Sequence, residues 1–143
     1  MIYKVIEHPS DILRVNCAEV VDFDESLSRL VQDMKDTVHF YSGIGLAAPQ
    51  IGFAKQVIIV SYDRKLEALI NPNIIHQSQE KSTQQEGCLS LPNYYASISR
   101  PKKVTIEYYN ESGDLKHCCL TGVNSHVAQH EIDHLRGKLI IDY

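Results

Sequence analysis

No long apolar run is present: the longest uninterrupted aliphatic stretch, Val57 to Val60, falls far short of the ~20 residues that span a bilayer. No membrane-crossing helix is therefore expected. Met1 to Ser10 lack the unbroken apolar core of a secretory signal, since Glu7, His8 and Pro9 interrupt them, and the cytoplasm is the expected location. Positive charge is not in excess. The 14 Lys and Arg stand against 18 Asp and Glu, a net charge of −4, which speaks against nucleic acid as a direct ligand. The four cysteines, Cys17, Cys88, Cys118 and Cys119, form no spaced disulfide framework, and the adjacent pair is poorly placed to bridge. They read as reduced thiols available as ligands. No repeat, low-complexity tract or linker divides the chain, so residues 1–143 read as a single domain of ordinary globular composition, 43% hydrophobic and 22% charged. A chain of this length buries roughly 70% of its unfolded surface without a staple, so a metal here would serve chemistry rather than folding.

Apolar residues Leu27, Leu30, Val31, Met34 and Val38 recur at helical spacing between Asp24 and Tyr41, with Asp22 or Asp24 as N-cap and Ser42-Gly43 as the stop. Val57 to Tyr62 and Leu66 to Asn71 read as a hairpin around Asp63-Arg64-Lys65, closed by Pro72. Gln77 to Gln85 is polar enough for a surface loop. Val104, Ile106 and Tyr108 alternate with polar neighbours up to the turn Asn110 to Gly113, and Leu115 to Thr121 returns, a second hairpin. After Gly122 the pattern is helical through Leu135, with Gly137 as its stop and Leu139 to Ile141 extended. Strands without crossover helices predict an α+β fold: antiparallel sheets packed around a C-terminal helix, plus one N-terminal amphipathic helix.

Gly43-Ile44-Gly45-Leu46-Ala47-Ala48 satisfies the spacing of a dinucleotide fingerprint, but that motif needs a strand before it, and here a helix precedes it. Glycines 43 and 45 are instead expected to let another backbone come close. His130-Glu131-Ile132-Asp133-His134 carries the strongest chemical signal. Positions i and i+4 on a helix lie 40° apart at ~100° per residue, so both imidazoles can reach one metal ion while Glu131 leans over its open side. The alternative is a solvated helix with incidental histidines. A catalytic site of this type uses three protein ligands and leaves a place for water. Downstream, position 140 is Ile140 rather than histidine and no glutamate follows Glu131, so the third ligand must lie upstream. His126 is about 12 Å along the helix from His134, too far to share an ion, and reads either as lining the approach or as an exposed helix histidine. Cys88, in Glu86-Gly87-Cys88-Leu89-Ser90, reads either as that ligand or as a small buried apolar residue.

Three separated segments, Gly43 to Gln50, Glu86 to Ser90 and Gln129 to Leu135, resemble in order and spacing those of the peptide deformylases, metalloenzymes that remove the formyl group from new polypeptides. The resemblance implies a metal held by Cys88, His130 and His134 with water as fourth ligand, Fe(II) natively, although Zn(II), Ni(II) or Co(II) also suit the donors. Glu131 is then general base and acid, and the Gln50 amide and the Leu89 backbone N–H help hold the oxyanion. Formate and a free amino terminus are the products. N-formylmethionyl peptides, met as nascent chains at the ribosome, would add as a strand beside Ile44-Gly45 and Gly87 to Leu89, with methionine in a pocket of Ile44, Val123 and Val127. Arg100 is expected to pair with Glu86 or Asp133 and hold the ligand segments in place. Asn124, Ser125 and His126 depart from the mainly apolar residues the resemblance leads one to expect, which bears on the polarity of that pocket. Ending at Tyr143, the chain resembles a minimal form without the C-terminal extension of many bacterial relatives, as in a phage, an organelle or a reduced genome, and a monomer is expected. A metallo-amidase or peptidase of altered substrate and a non-catalytic binding protein are the competing readings.

Overall fold

Asp24 opens the first helix, α1 (Glu25–Phe40), because its carboxylate accepts the Leu27 N–H at 3.1 Å; of the two aspartates considered, it is the cap. The helix closes with Ser42 in the left-handed region, its N–H bonded to His39 O at 3.1 Å and the Gly43 N–H to Val38 O at 2.9 Å, which satisfies two of the last carbonyls. The structure, a computed structural model, describes all of residues 1–143. Strands follow as β1 (Gly45–Ala47), β2 (Val57–Tyr62), β3 (Lys65–Gln77), β4 (Lys81–Cys88), β5 (Leu91–Pro101), β6 (Lys103–Tyr109) and β7 (Leu115–Thr121), and then helix α2 (Gly122–His134). Short 3₁₀ turns occupy Asp11–Arg14, Ala48–Ile51 and Ile140–Asp142. No helix is long and apolar enough to cross a membrane.

All strand pairs are antiparallel: five in the order β1-β2-β3-β6-β7 and two as the separate ribbon β4-β5. The α+β arrangement and both hairpins expected from the sequence are present. The continuous apolar run of β2 has a simple cause. Its side chains alternate between two helices, Val57 and Ile59 packing with Leu27, Leu30, Val31, Met34 and Val38 of α1, and Ile58 and Val60 packing with Ala128 and Ile132 of α2. The strand is therefore buried on both faces. A third cluster of Leu13, Leu91, Ile98, Leu139 and Ile140 ties β5 to the last turn of the chain.

Three local expectations are corrected. Pro72 does not close β3, which runs on to Gln77 through a register shift between Ile70 and Asn73, where a proline costs no ladder bond. Asn71, with φ +51°, turns there, and its side chain is bonded to both the N–H and the C=O of Val20. Residues 77–85 are not a loop, because β4 begins at Lys81. A two-stranded ribbon with an open face needs few apolar residues, so its period of two is written in polar side chains. Leu139 to Ile141 is not extended either: Ile140–Asp142 form a 3₁₀ turn held by Asp142 Oδ2, which accepts the Leu139 N–H at 2.8 Å.

Candidate metal centre and its cleft

Helix α2 buries eight of its thirteen residues although most of its residues are polar, so each buried polar group must find a partner or serve a purpose. Gln129 donates to Pro101 O at 2.9 Å and to Ser125 Oγ at 2.8 Å. His126 and His130 both turn Nδ1 toward Glu86 at 3.1 Å, one on each carboxylate oxygen. Two buried atoms have no partner, Glu131 Oε1 and His134 Nδ1.

The end of β4 lies against this helix and brings Cys88 Sγ to 3.4 Å from His134 Nε2. One ligand atom each from Cys88, His130 and His134 falls within 4.8 Å of the others. Because Glu86 is an acceptor only, His130 carries its proton on Nδ1, and Nε2 is the atom left for that shared space. Cys17, Cys118 and Cys119 are free thiols elsewhere and do not join the group. Nor does His126, which is neither exposed nor a member: it is 2% exposed, with Nε2 3.0 Å from Ser82 Oγ, and borders the cleft. The exposed-histidine reading is thus corrected.

The charges around the three donors act in opposite directions on the two imidazoles. Burial and the positive charges of His130, Arg100 and Arg14 hold the His134 pKa far below its usual value, so it stays a neutral donor. Burial works against the His130 imidazolium, yet the Glu131 charge and the hydrogen bonds to Cys88 and Glu86 outweigh it and hold its pKa above the usual value. A thiol, a neutral imidazole and a second imidazole whose surroundings demand positive charge fit a divalent transition metal. For Glu86, burial is opposed by hydrogen bonds from His130 and Arg100 and by the Arg100 charge, which bring its pKa down to about 2. Burial pushes Glu131 up to about 7, His130 pulling it back and Glu86 adding to the rise. A carboxyl at that value exchanges protons near neutrality.

Arg100 pairs with both expected partners: its Nε and Nη2 lie 2.7 and 2.9 Å from the two Glu86 oxygens, and Nη1 lies 2.8 Å from Asp133 Oδ2. Tyr143, given no role by the sequence, joins at 3.0 Å from Nη1. Gln50 is buried on the 3₁₀ turn after β1. Its Oε1 accepts the Ala47 N–H at 2.9 Å, which fixes the amide and sends Nε2 to Ser90 Oγ at 3.1 Å, with Cys88 Sγ at 3.7 Å. Ser90, two residues from Cys88 in the same segment, carries no mark in the sequence of this pairing. The Ile6 and His8 N–H groups bond to Gln50 O and Ser90 O and pin both loops.

A cleft of about 560 Å³ opens over the centre, bordered by Ile44, Gly45, Gln50, Gly87, Leu89, Val123, Val127 and Glu131 among others. Ile44 and Val123 are 55% and 56% exposed, so they are not core residues. The expectation for the glycines is corrected in detail. What approaches Gly45 is the Glu131 side chain, whose Oε2 would lie 2.5 Å from an added Cβ, while Gly43 has ordinary contact space and Gly87 makes room for the Tyr95 ring.

The family profile of polypeptide deformylase matches residues 2–143. A peptide deformylase of Thermotoga neapolitana is 39% identical over 140 residues, covering 98% of this chain and 85% of the relative. The crystal structure of the Thermotoga maritima peptide deformylase superposes with TM-score 0.97 at 36% identity, covering 99% of this chain and 97% of that one. A Plasmodium falciparum peptide deformylase in complex with an inhibitor does so with TM-score 0.92 at 40% identity, over 97% and 87%. A likeness running through sequence and backbone from one end to the other makes this chain a member of the polypeptide deformylase family, hydrolases whose known activity is deformylation of nascent chains.

Proposed function

We propose that Cys88, His130 and His134 hold one divalent cation, natively Fe(II), and that the chain uses it to hydrolyse the formyl amide of N-formylmethionyl peptides. The observation carrying this reading is the approach of one sulfur and two imidazoles to within 4.8 Å of one another under an open cleft. When bound, such an ion supplies Lewis-acid chemistry, activating water and polarising the formyl carbonyl. Glu131 takes the proton from the attacking water and returns it to the leaving nitrogen, a role suited to a buried carboxyl with a pKa of about 7. The Gln50 amide and the Leu89 N–H donate to the oxygen on which negative charge develops. Being neutral, the amide adds no net charge to the site.

Strand β1 is paired only with β2, and β4 only with β5. An extended peptide fits between their free edges, its main chain against Gly45 and Gly87 and its methionine among Ile44, Val123 and Val127. Glu86, Arg100 and Asp133 hold the ligand-bearing segments in register. Residues 1–143 act as one domain, a monomer in the cytoplasm that meets its substrates as they leave the ribosome.

Anaerobic purification with metal analysis, followed by formate release from a formyl-Met peptide, tests the reading. Wild type carries one Fe(II), and Glu131→Ala keeps the metal while turnover falls by about 10²–10⁴. Unchanged turnover removes Glu131 from the mechanism. Stoichiometric metal in Cys88→Ala removes the sulfur from the ligand set.

A further inference from the structure

His126 takes no part in the reaction as proposed, yet it is among the most deeply buried polar residues and both its ring nitrogens are engaged. Glu86, as an ionised carboxylate, only accepts, so the Nδ1 of His126 donates to it and Nε2 is left to accept the Ser82 hydroxyl. Ser82 and Glu86 lie four residues apart on β4 and so point to one face, where the ring bridges them.

The bonding at Glu86 is symmetric. Its Oε1 accepts from Arg100 Nη2 at 2.9 Å and His130 Nδ1 at 3.1 Å; its Oε2 accepts from Arg100 Nε at 2.7 Å and His126 Nδ1 at 3.1 Å. A carboxylate offers about four lone-pair sites, and all four are taken. Arg100 fixes the plane of the carboxylate, and the two imidazoles balance it within that plane. The bond from His130 to Oε1 sets the direction of the His130 ring and hence of its Nε2.

We infer that His126 is a positioning residue for His130, acting through the Glu86 carboxylate that the two imidazoles share, with Ser82 holding the tautomer. This rests on the ligand set proposed above. Without the His126 donor, Oε2 keeps one partner and the carboxylate tilts toward it, carrying the His130 ring out of line with Cys88 and His134.

Metal affinity tests this independently of turnover. Apo protein is loaded with Co(II), its dissociation constant is read by chelator competition and its ligand-field spectrum is recorded, for wild type, His126→Leu, His126→Asn and Ser82→Ala. In His126→Leu the affinity falls about tenfold, the lower end of what an outer partner of a metal-bound histidine is worth, and the Co(II) bands shift. His126→Asn, which keeps a donor where Nδ1 stood, restores most of the affinity and the wild-type spectrum. Ser82→Ala raises the dissociation constant about threefold, a modest hydrogen bond's worth, and carries the test if His126→Leu does not fold. Equal affinity in wild type and His126→Leu overturns the inference, as does His126→Asn as weak as His126→Leu. A raised KM for formyl-Met peptide at unchanged metal affinity also overturns it, making His126 a wall of the cleft. Wild type that takes up no stoichiometric metal defeats the ligand set itself and this inference with it, a result distinct from tight binding that is insensitive to His126.

Discussion

Replacing Gly45 by alanine should cut the proposed turnover by about 10² while leaving the fold and the proposed metal site intact. A Cβ at this position would lie 2.5 Å from Glu131 Oε2, 3.1 Å from Glu131 Cδ and 3.0 Å from Val127 Cγ1, where ordinary contact begins at 3.4 Å. The Glu131 oxygen must therefore retreat by about 1 Å, the difference between 3.4 and 2.5 Å. The end of a side chain yields more readily than backbone, so the stability cost stays near 1 kcal/mol, the low end for added volume in a packed site. Function is far less tolerant. A displacement of 1 Å in a positioned catalytic group costs about 10²-fold in rate, which at 1.36 kcal/mol per decade is roughly 2.7 kcal/mol of barrier.

The assay is formate release from a formyl-Met peptide, with metal content and urea denaturation run in parallel. Gly43→Ala is the control, because an added Cβ there meets nothing nearer than 3.7 Å. The expected pattern is a fall of about 10² in kcat for Gly45→Ala with metal retained, and near-native behaviour for Gly43→Ala. Gly45→Ala within threefold of wild type would show that the carboxylate has no fixed working position, and the proton-transfer role drawn from that position would fall.

Arg100→Met strands the Glu86 charge and should cost about 3–5 kcal/mol in urea denaturation, while Glu86→Gln combined with it recovers part of that loss. Gly137→Ala faces the Arg14 carbonyl at 2.5 Å and a φ of +74°, neither of which can give. A loss of about 1–3 kcal/mol or more is expected by thermal melting, and a native melting temperature would contradict the packing described. The Asp142 pKa is lowered from 3.8, chiefly by the hydrogen bond from Arg14 and then by the one from the Leu139 N–H. Its contribution is thus present above pH 3.8 and lost as pH falls through the lowered value, so Asp142→Asn should flatten the acid limb of the stability profile.

Legibility of the fold tracked how each segment buries its apolar residues. Helix α1 and the hairpins β2-β3 and β6-β7 bury a regular face, so periodicity located them within a residue or two at most ends. The ribbon β4-β5 escaped notice because its strands border the cleft and solvent, and a polar alternation carries little signal. Pro72 misled for a related reason: whether a proline ends a strand depends on whether its neighbour needs the missing donor, and the register shift at Ile70 removes that need. The candidate ligands were visible because helical spacing is a local property. That Cys88 should meet them depended on three distant segments considered together, and the contacts of Ser82, Ser90 and Tyr143 are tertiary facts with no local mark.

The two glutamates of the site show what the fold adds to residue identity. Glu86 and Glu131 are both buried, and burial alone raises the pKa of each. At Glu86 four N–H donors converge, and the pKa drops to about 2, leaving a permanent anion that can orient imidazoles but cannot carry a proton at neutral pH. At Glu131 one oxygen has no donor, burial wins, and the pKa rises to about 7. The same side chain thus becomes a fixed strut in one place and, in the proposed reaction, a proton carrier in another, according to whether hydrogen bonds answer its desolvation. Supplying Glu131 with donors would make it a second strut, and stripping them from Glu86 would loosen His130. In the proposed reaction it is whether desolvation is answered or left unanswered that separates the glutamate that orients a ligand from the one that moves a proton.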